Sequence, residues 1–208
     1  MKKLGRKFFE QPTLEAAQKL LGCEFVVGDC SGIITETEAY IEGDPATHST
    51  RGQTKRNAVM FGPPGTLYVY FTYGMHFCAN FVCGKFGVGD AVLLRGIVPT
   101  KGIQKMQTRR NRGSPFRKTK SRNKIDPKNL TNGPSKICQA FGIDLRQNGH
   151  DLCTFESEIF VLERKFEPKF QATPRIGIKV GQEKLWRFIC DISDRKESCK
   201  RDKSARAK

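Results

Sequence analysis

Residues 34–40 read Ile-Thr-Glu-Thr-Glu-Ala-Tyr, and the two-residue period of an extended strand puts Glu36, Glu38 and Tyr40 on one face. A carboxylate set among apolar and aromatic neighbours is desolvated, which raises its proton affinity and suits it to act as a general base on water. Glu38 is the candidate for that role; the competing reading is a solvated strand carboxylate. Glu36 shares the face at about 7 Å along the strand, as a supporting or a purely structural acid. The segment Leu67-Tyr68-Val69-Tyr70-Phe71-Thr72-Tyr73-Gly74 adds three more phenol rings. Tyr40 and Tyr70 offer flat faces for a nucleobase, where stacking is worth about 1–3 kcal/mol, or they are ordinary sheet packing. His48 falls in a loop after Tyr40, placed to stack on a base or hydrogen-bond it, or merely exposed.

These groups need a scaffold, and the hydrophobic pattern supplies one. Leu14, Ala17, Leu20 and Leu21 make the apolar stripe of a helix over 13–22, with Thr13 as its cap and Gly22 as its stop. Residues 23–27 and 31–41 read as paired strands around Gly28-Asp29, and 42–65 as a surface loop. Strand 66–72 alternates cleanly, Tyr73-Gly74 suits a tight reversal, and 75–83 returns as its partner. Tyr73 then sits at an exposed tip, where a bulky ring is costly unless it inserts into something, as wedges do between base steps. Such a wedge helps send a nucleotide out of a duplex into a pocket. Asn80 and Arg95, polar within apolar strands (the second over 90–98), are pocket groups or satisfy the buried backbone locally. A basic mobile loop is expected over 101–128, a helix from Pro134 to Phe141, and strands over 159–162 and 175–180.

Thirty-seven Lys and Arg against 21 Asp and Glu give a net charge of +16, and a sequence pI of about 9.7 points to a polyanionic partner. Arg51, Lys55, Arg56, Lys136 and Arg175 are candidates for phosphate contact, helped by the amides that open the helix at Ser135. No apolar run is long enough to span a bilayer, so a membrane role is not expected. The basic start has no apolar continuation, and the eight Cys show no C-x-x-C pair. Reduced thiols in an intracellular protein follow. Three His with no H-x-x-x-H spacing give no reason to expect a metal.

Five ordered segments carry a likeness: Glu36-Thr37-Glu38-Ala39-Tyr40; His48-Ser49 with Arg51, Arg56 and Asn57; Gly65 to Tyr70 with Tyr73-Gly74-Met75; Leu93-Leu94-Arg95; and Gly133-Pro134-Ser135-Lys136. Together they resemble the alkyladenine (3-methyladenine) DNA glycosylase family over most of residues 5–190. The resemblance implies an α+β fold, with one mixed domain over 1–190 around a curved, mostly antiparallel sheet. Flanking helices and a protruding β-hairpin complete it, followed by a charged tail over 191–208. It implies a monofunctional base-excision repair enzyme, a monomer without metal or cofactor, that releases alkylated or deaminated purines from double-stranded DNA. By the same likeness Glu38 activates the water, Tyr40, His48 and Tyr70 sandwich the flipped base, and Tyr73 fills the gap in the duplex. Asn80 would crowd guanine's amine, and Arg95 would hold the flipped nucleotide's phosphate.

Two other readings account for part of the pattern. A non-catalytic module that stacks single strands on its rings uses the same charge and aromatics. A glycoside hydrolase would use Glu36 and Glu38 as paired carboxylates about 5–9.5 Å apart, but this explains neither the charge nor Tyr73.

Overall fold

The computed structural model describes residues 1–113 and 124–192. Helices α1 (Arg6–Phe9) and α2 (Thr13–Lys19) lead into β1 (Glu24–Val27) and β2 (Cys30–Tyr40). The hairpin β3 (Thr66–Thr72) and β4 (His76–Val82) follows, then β5 (Ala91–Lys101). Next come α3 (Ile103–Arg112), α4 (Pro127–Leu130) and α5 (Pro134–Phe141), then β6 (His150–Asp151), β7 (Ile159–Leu162), β8 (Phe170–Thr173) and β9 (Arg187–Cys190).

The strands form one curved antiparallel sheet in the order β6-β3-β4-β5-β2-β1-β7, so the fold is α+β. The long β2 is its pivot. Its first half pairs with β1 on one side, while residues 36–38 pair instead with β9, which carries β8. Between those halves the β2–β5 register shifts twice, so that Thr35 on one strand and Arg95 on the other have no direct partner. A bulge of this kind bends a sheet and re-aims side chains. Here it turns Arg95 onto the face that carries Glu36 and Glu38. Gly96 is required at the bend, because a Cβ there would lie 2.9 Å from the Glu36 Cβ.

One face of β2 is core. Ile34 and Ala39 are fully buried, and the buried Thr37 hydroxyl donates to the Ala17 carbonyl of α2 at 2.9 Å. Phenylalanines fill the space beneath: Phe25 meets Phe81 and Phe141, each at 5.4 Å between ring centroids, and Phe9 meets Phe81 at 5.9 Å. Cys23, Cys30, Cys78, Cys83, Cys138 and Cys190 are free and buried, acting as small apolar groups. The opposite face, bearing Glu36, Glu38 and Tyr40, is left for the site.

Three local expectations need correction. The basic stretch from 101 is not all loop: Ile103–Arg112 is helical. Met106 is fully buried there, and Arg109 donates to the Ala140 and Phe141 carbonyls at 3.1 and 2.8 Å, closing the end of α5. Charge alone concealed a good helix-forming segment. Residues 175–180 are not a strand, since Gly177 and Gly181 take φ of +81° and +69° and the backbone leaves the extended region. Thr13 is the first residue of α2 and does not cap it; its hydroxyl donates to Asp90 at 2.7 Å. Towards the end of the run Pro127 opens α4, while 114–123 and the tail from 193 lie outside the described residues. Among the described residues no helix is long and apolar enough to cross a membrane.

Candidate active site

Glu38 has no exposure to solvent. Its Oε1 accepts the Ile176 amide at 2.8 Å and faces Arg95 Nε at 3.3 Å, and its Oε2 accepts the Tyr40 hydroxyl at 2.9 Å. Burial pushes the carboxyl above the usual glutamate range, and the Arg95 charge, the Ile176 amide and the Tyr40 hydroxyl pull back without cancelling it. The Tyr40 phenol moves up as well, through burial and then through the negative charge of Glu38. It therefore stays protonated and donates.

Above this group opens a cavity of about 370 Å³, within the range of small-molecule sites. Tyr40, His48, Tyr70, Asn80 and Arg95 all line it, and Tyr73 stands at its rim. Glu38 lies immediately behind the wall, covered by three lining residues, Tyr40, Arg95 and Ile176. The His48 ring meets Tyr70 edge to face at 4.4 Å, and Tyr68 stacks on Tyr70 at 5.6 Å. Tyr68 is buried, and its hydroxyl lies 3.1 Å from His48 Nδ1, which fixes the imidazole orientation. Desolvation, with its ring set against Tyr68 and Tyr70, and the nearby Arg56 charge hold its pKa below the ordinary histidine value. At neutral pH the ring is therefore uncharged. Burial also drives the Tyr70 phenol upward, and Asn80 is pinned by donating to the Tyr68 carbonyl at 3.1 Å.

The loop carrying His48 is tied down by its own polar side chains. Asn57 donates to the His48 and Gly52 carbonyls at 2.8 and 3.0 Å, and Ser49 donates to Gly89 at 2.7 Å. Tyr73 is 79% exposed at the β3–β4 turn, with φ of +51° followed by Gly74 at +65°. Two successive left-handed residues are the signature of a type I′ hairpin turn. No other described non-glycine residue has positive φ.

The basic candidates divide. Arg51 and Arg56 are both exposed; Arg56 lies near His48 and donates to the Phe71 carbonyl at 2.9 Å. Lys136 follows the lining residues Pro134 and Ser135 and donates to Asn132 at 2.7 Å. Arg175 does not belong with them. Its side chain is fully buried, pairs with Asp44 at 2.5 Å, donates to the Ala39 carbonyl at 3.0 Å and covers the Tyr40 and Trp186 rings at 4.8 and 5.1 Å. A phosphate cannot reach it; it backs the Tyr40 ring and leaves the opposite face to the cavity. In sequence it looked like any other surface cation.

Sequence reasoning also passed over four contributors. The Ile176 amide is a backbone group with no signal of its own. Tyr68 was counted as a ring, not as the residue that orients His48. Asp44 lay inside a loop rich in polar residues. Arg187, which donates to Glu36 at 2.6 Å, opens an otherwise apolar strand much as Arg95 interrupts its own, and that pattern was readable.

A buried, basic carboxylate behind a ring-lined cavity, on a strongly cationic chain, fits hydrolytic release of a stacked base. The comparisons agree. A sequence model of the family described as methylpurine-DNA glycosylase (MPG) matches residues 7–194. A protein of Rhodopseudomonas palustris (strain HaA2) is 42% identical over 186 residues, covering 89% of this chain and 85% of that one. A protein of Carboxydothermus hydrogenoformans is 43% identical over 192 residues (89% and 93%), and one of Ehrlichia chaffeensis 42% over 193 (89% and 92%). All three bear the name "Putative 3-methyladenine DNA glycosylase". With nearly its whole described length matched, the chain belongs to the methylpurine-DNA glycosylase family of DNA-repair hydrolases.

Proposed function

We propose that this protein removes alkylated purines of the 3-methyladenine type, and deaminated ones, from duplex DNA, with Glu38 as the base that activates water. The observation that carries the reading is the full burial of Glu38 against Tyr40, Arg95 and Ile176. In this reading the flipped purine enters the cavity between Tyr40 on one side and His48 with Tyr70 on the other. Asn80 sits in the wall, placed to crowd an exocyclic amine. Glu38 takes a proton from water, the water oxygen bonds to the sugar C1′, and the C1′–N bond breaks with its electron pair leaving on the purine. A cationic alkylpurine leaves neutral, so the site needs a base for water more than an acid for the leaving group. Arg95 lines the cavity beside Glu38, and in this reading it also holds the flipped nucleotide's phosphate.

Tyr73, exposed at a tight turn on the cavity rim, is suited to enter the duplex and hold the gap left by the flipped nucleotide. Arg51, Arg56 and Lys136 would then grip phosphates around it. Every group in this scheme comes from one chain, so a monomer suffices, acting inside the cell wherever the DNA is.

Two variants test the reading. Glu38→Gln should keep affinity for a duplex with an abasic or flipped-base analogue while single-turnover purine release falls by about 10²–10⁴-fold. Undiminished release would remove Glu38 from the role. Tyr73→Ser should slow excision of a normally paired lesion by about tenfold or more, and excision from a mismatch or single strand much less, since flipping then costs least. Equal losses in all contexts would refute the wedge.

A further inference from the structure

Glu38 is not alone with Arg95. Arg95 Nε donates to Glu36 Oε1 at 3.0 Å and lies 3.3 Å from Glu38 Oε1, so its hydrogen bond goes to Glu36 while Glu38 receives only the ion pair. The same Glu36 oxygen accepts Arg187 Nε from β9 at 2.6 Å, and Arg187 reaches Thr173 Oγ1 at 3.3 Å on β8. Acid and base therefore alternate in a row, Glu38, Arg95, Glu36, Arg187, running from the cavity to the β8–β9 arm. The β2–β5 bulge and the missing side chain at Gly96 make room for it.

From this geometry we infer that Glu36 is a positioning residue for the reaction: it holds Arg95 off Glu38 and so keeps the catalytic carboxylate basic and open to water. The inference rests on Glu38 being the base. Two donors and the Arg95 guanidinium cover Glu38, which has no solvent exposure, so a water reaches its oxygens only if one of the three gives way. Arg95 makes the longest of the three contacts and is the only one with another carboxylate within hydrogen-bonding distance. Because Arg95 already donates to Glu36, a small swing away from Glu38 opens Oε1 without leaving a buried guanidinium unpaired, which would otherwise be costly. Two strands set the balance: Glu36 pulls Arg95 outward, and Arg187 competes with Arg95 for the same oxygen.

The groups facing Glu38 are Glu36 and Tyr40 from β2, Arg95 from β5, Cys78 from β4, Arg175 behind Tyr40, and Arg187 one ion pair away. Removing Glu36 takes away a like charge and frees Arg95 for Glu38; both act to lower the proton affinity of the base. Removing Arg187 takes away a cation and leaves Glu36 to Arg95 alone; both act to raise it.

The test is single-turnover release of an alkylated purine from a duplex as a function of pH, on the full chain. Glu36→Gln should move the acid limb down by about one pH unit and lower the plateau several-fold, because the base is weaker and more tightly covered. Arg187→Met should move the limb in the opposite direction. Thermal melts of both variants separate this from lost folding. If Glu36→Gln leaves the limb in place, or both variants shift it the same way, the inference is wrong; if one variant does not fold, the sign of the other decides. Should Glu38→Gln retain activity, the assignment of the base has failed first. An inactive Glu38→Gln beside an unmoved Glu36→Gln limb overturns only the role of Glu36.

Discussion

Two buried carboxylates flank Tyr40, each with an arginine, and their protons behave oppositely. Asp44 meets Arg175 at 2.5 Å and Lys184 at 3.1 Å. Desolvation pushes its carboxyl up, but hydrogen bonds and charge from both cations outweigh this, and the net value falls below the ordinary aspartate range. Glu38 has a single guanidinium at 3.3 Å, shared with Glu36, and its carboxyl stays above the ordinary glutamate range. Burial is common to both. What separates a clasp from a base is how much cation each acid receives: two undivided partners fix Asp44 as an anion, and a divided one leaves Glu38 able to take a proton.

The Asp44–Arg175 pair is a clasp in a literal sense. It joins the 41–50 loop, which carries His48, to the 174–186 segment, which supplies the Ile176 amide and the cation behind Tyr40. Lys184 adds to it from above the Trp186 ring at 4.4 Å.

Removing one charge at each of the two sites gives the largest expected effects. Arg175→Met leaves the buried Asp44 with only the part-exposed Lys184 and removes the donor to the Ala39 carbonyl, and should cost about 3–5 kcal/mol in chemical unfolding, with release of purine falling as a consequence of disordered loops. Glu38→Gln should cost almost nothing in the same unfolding measurement while removing activity. If Arg175→Met unfolds like the parent, the clasp is not a clasp. Glu38→Gln unfolding several kcal/mol more easily would show that both pairs are structural.

Acidity sharpens the same contrast. Asp44, with its folded-state pKa depressed, contributes stability that is full at neutral pH and is lost as the pH falls below about 3.8. Glu38 has a raised folded-state pKa, so its ionised form works against folding at neutral pH, and that penalty disappears as the pH drops toward 4.5. Activity should fall with an acid limb above 4.5, because the protonated form is no longer a base. Parallel pH scans of stability and of single-turnover rate would show two transitions at different pH values; one shared transition would contradict the distinction. The smallest effect expected is for Lys184→Met, about 1 kcal/mol or less, since Arg175 still neutralises Asp44.

Much of this was open to inspection in the linear chain. Alternation in 34–40 put Glu38 and Tyr40 on one side, the Tyr73-Gly74 pair announced the reversal, and the net charge of +16 named a polyanion. Helix α5 began at Pro134 and ended before Gly142 as its capping residues required. Those are local or summed properties, determined by side-chain period, backbone preference and total charge, and they survive without knowledge of neighbours. The division of labour among the cations did not. Arg95 stood out only as a polar break in an apolar strand and Arg175 as one more surface cation, yet a bulge aims the first at two acids while a buried aspartate 131 positions away in the chain claims the second. Whether a charge is solvated, paired once or shared depends on distances across the fold, because electrostatic strength is set by separation and local dielectric. The sequence determined which chemistry was present and on which strand; only the tertiary structure decided which acid is held as an anion and which is left basic.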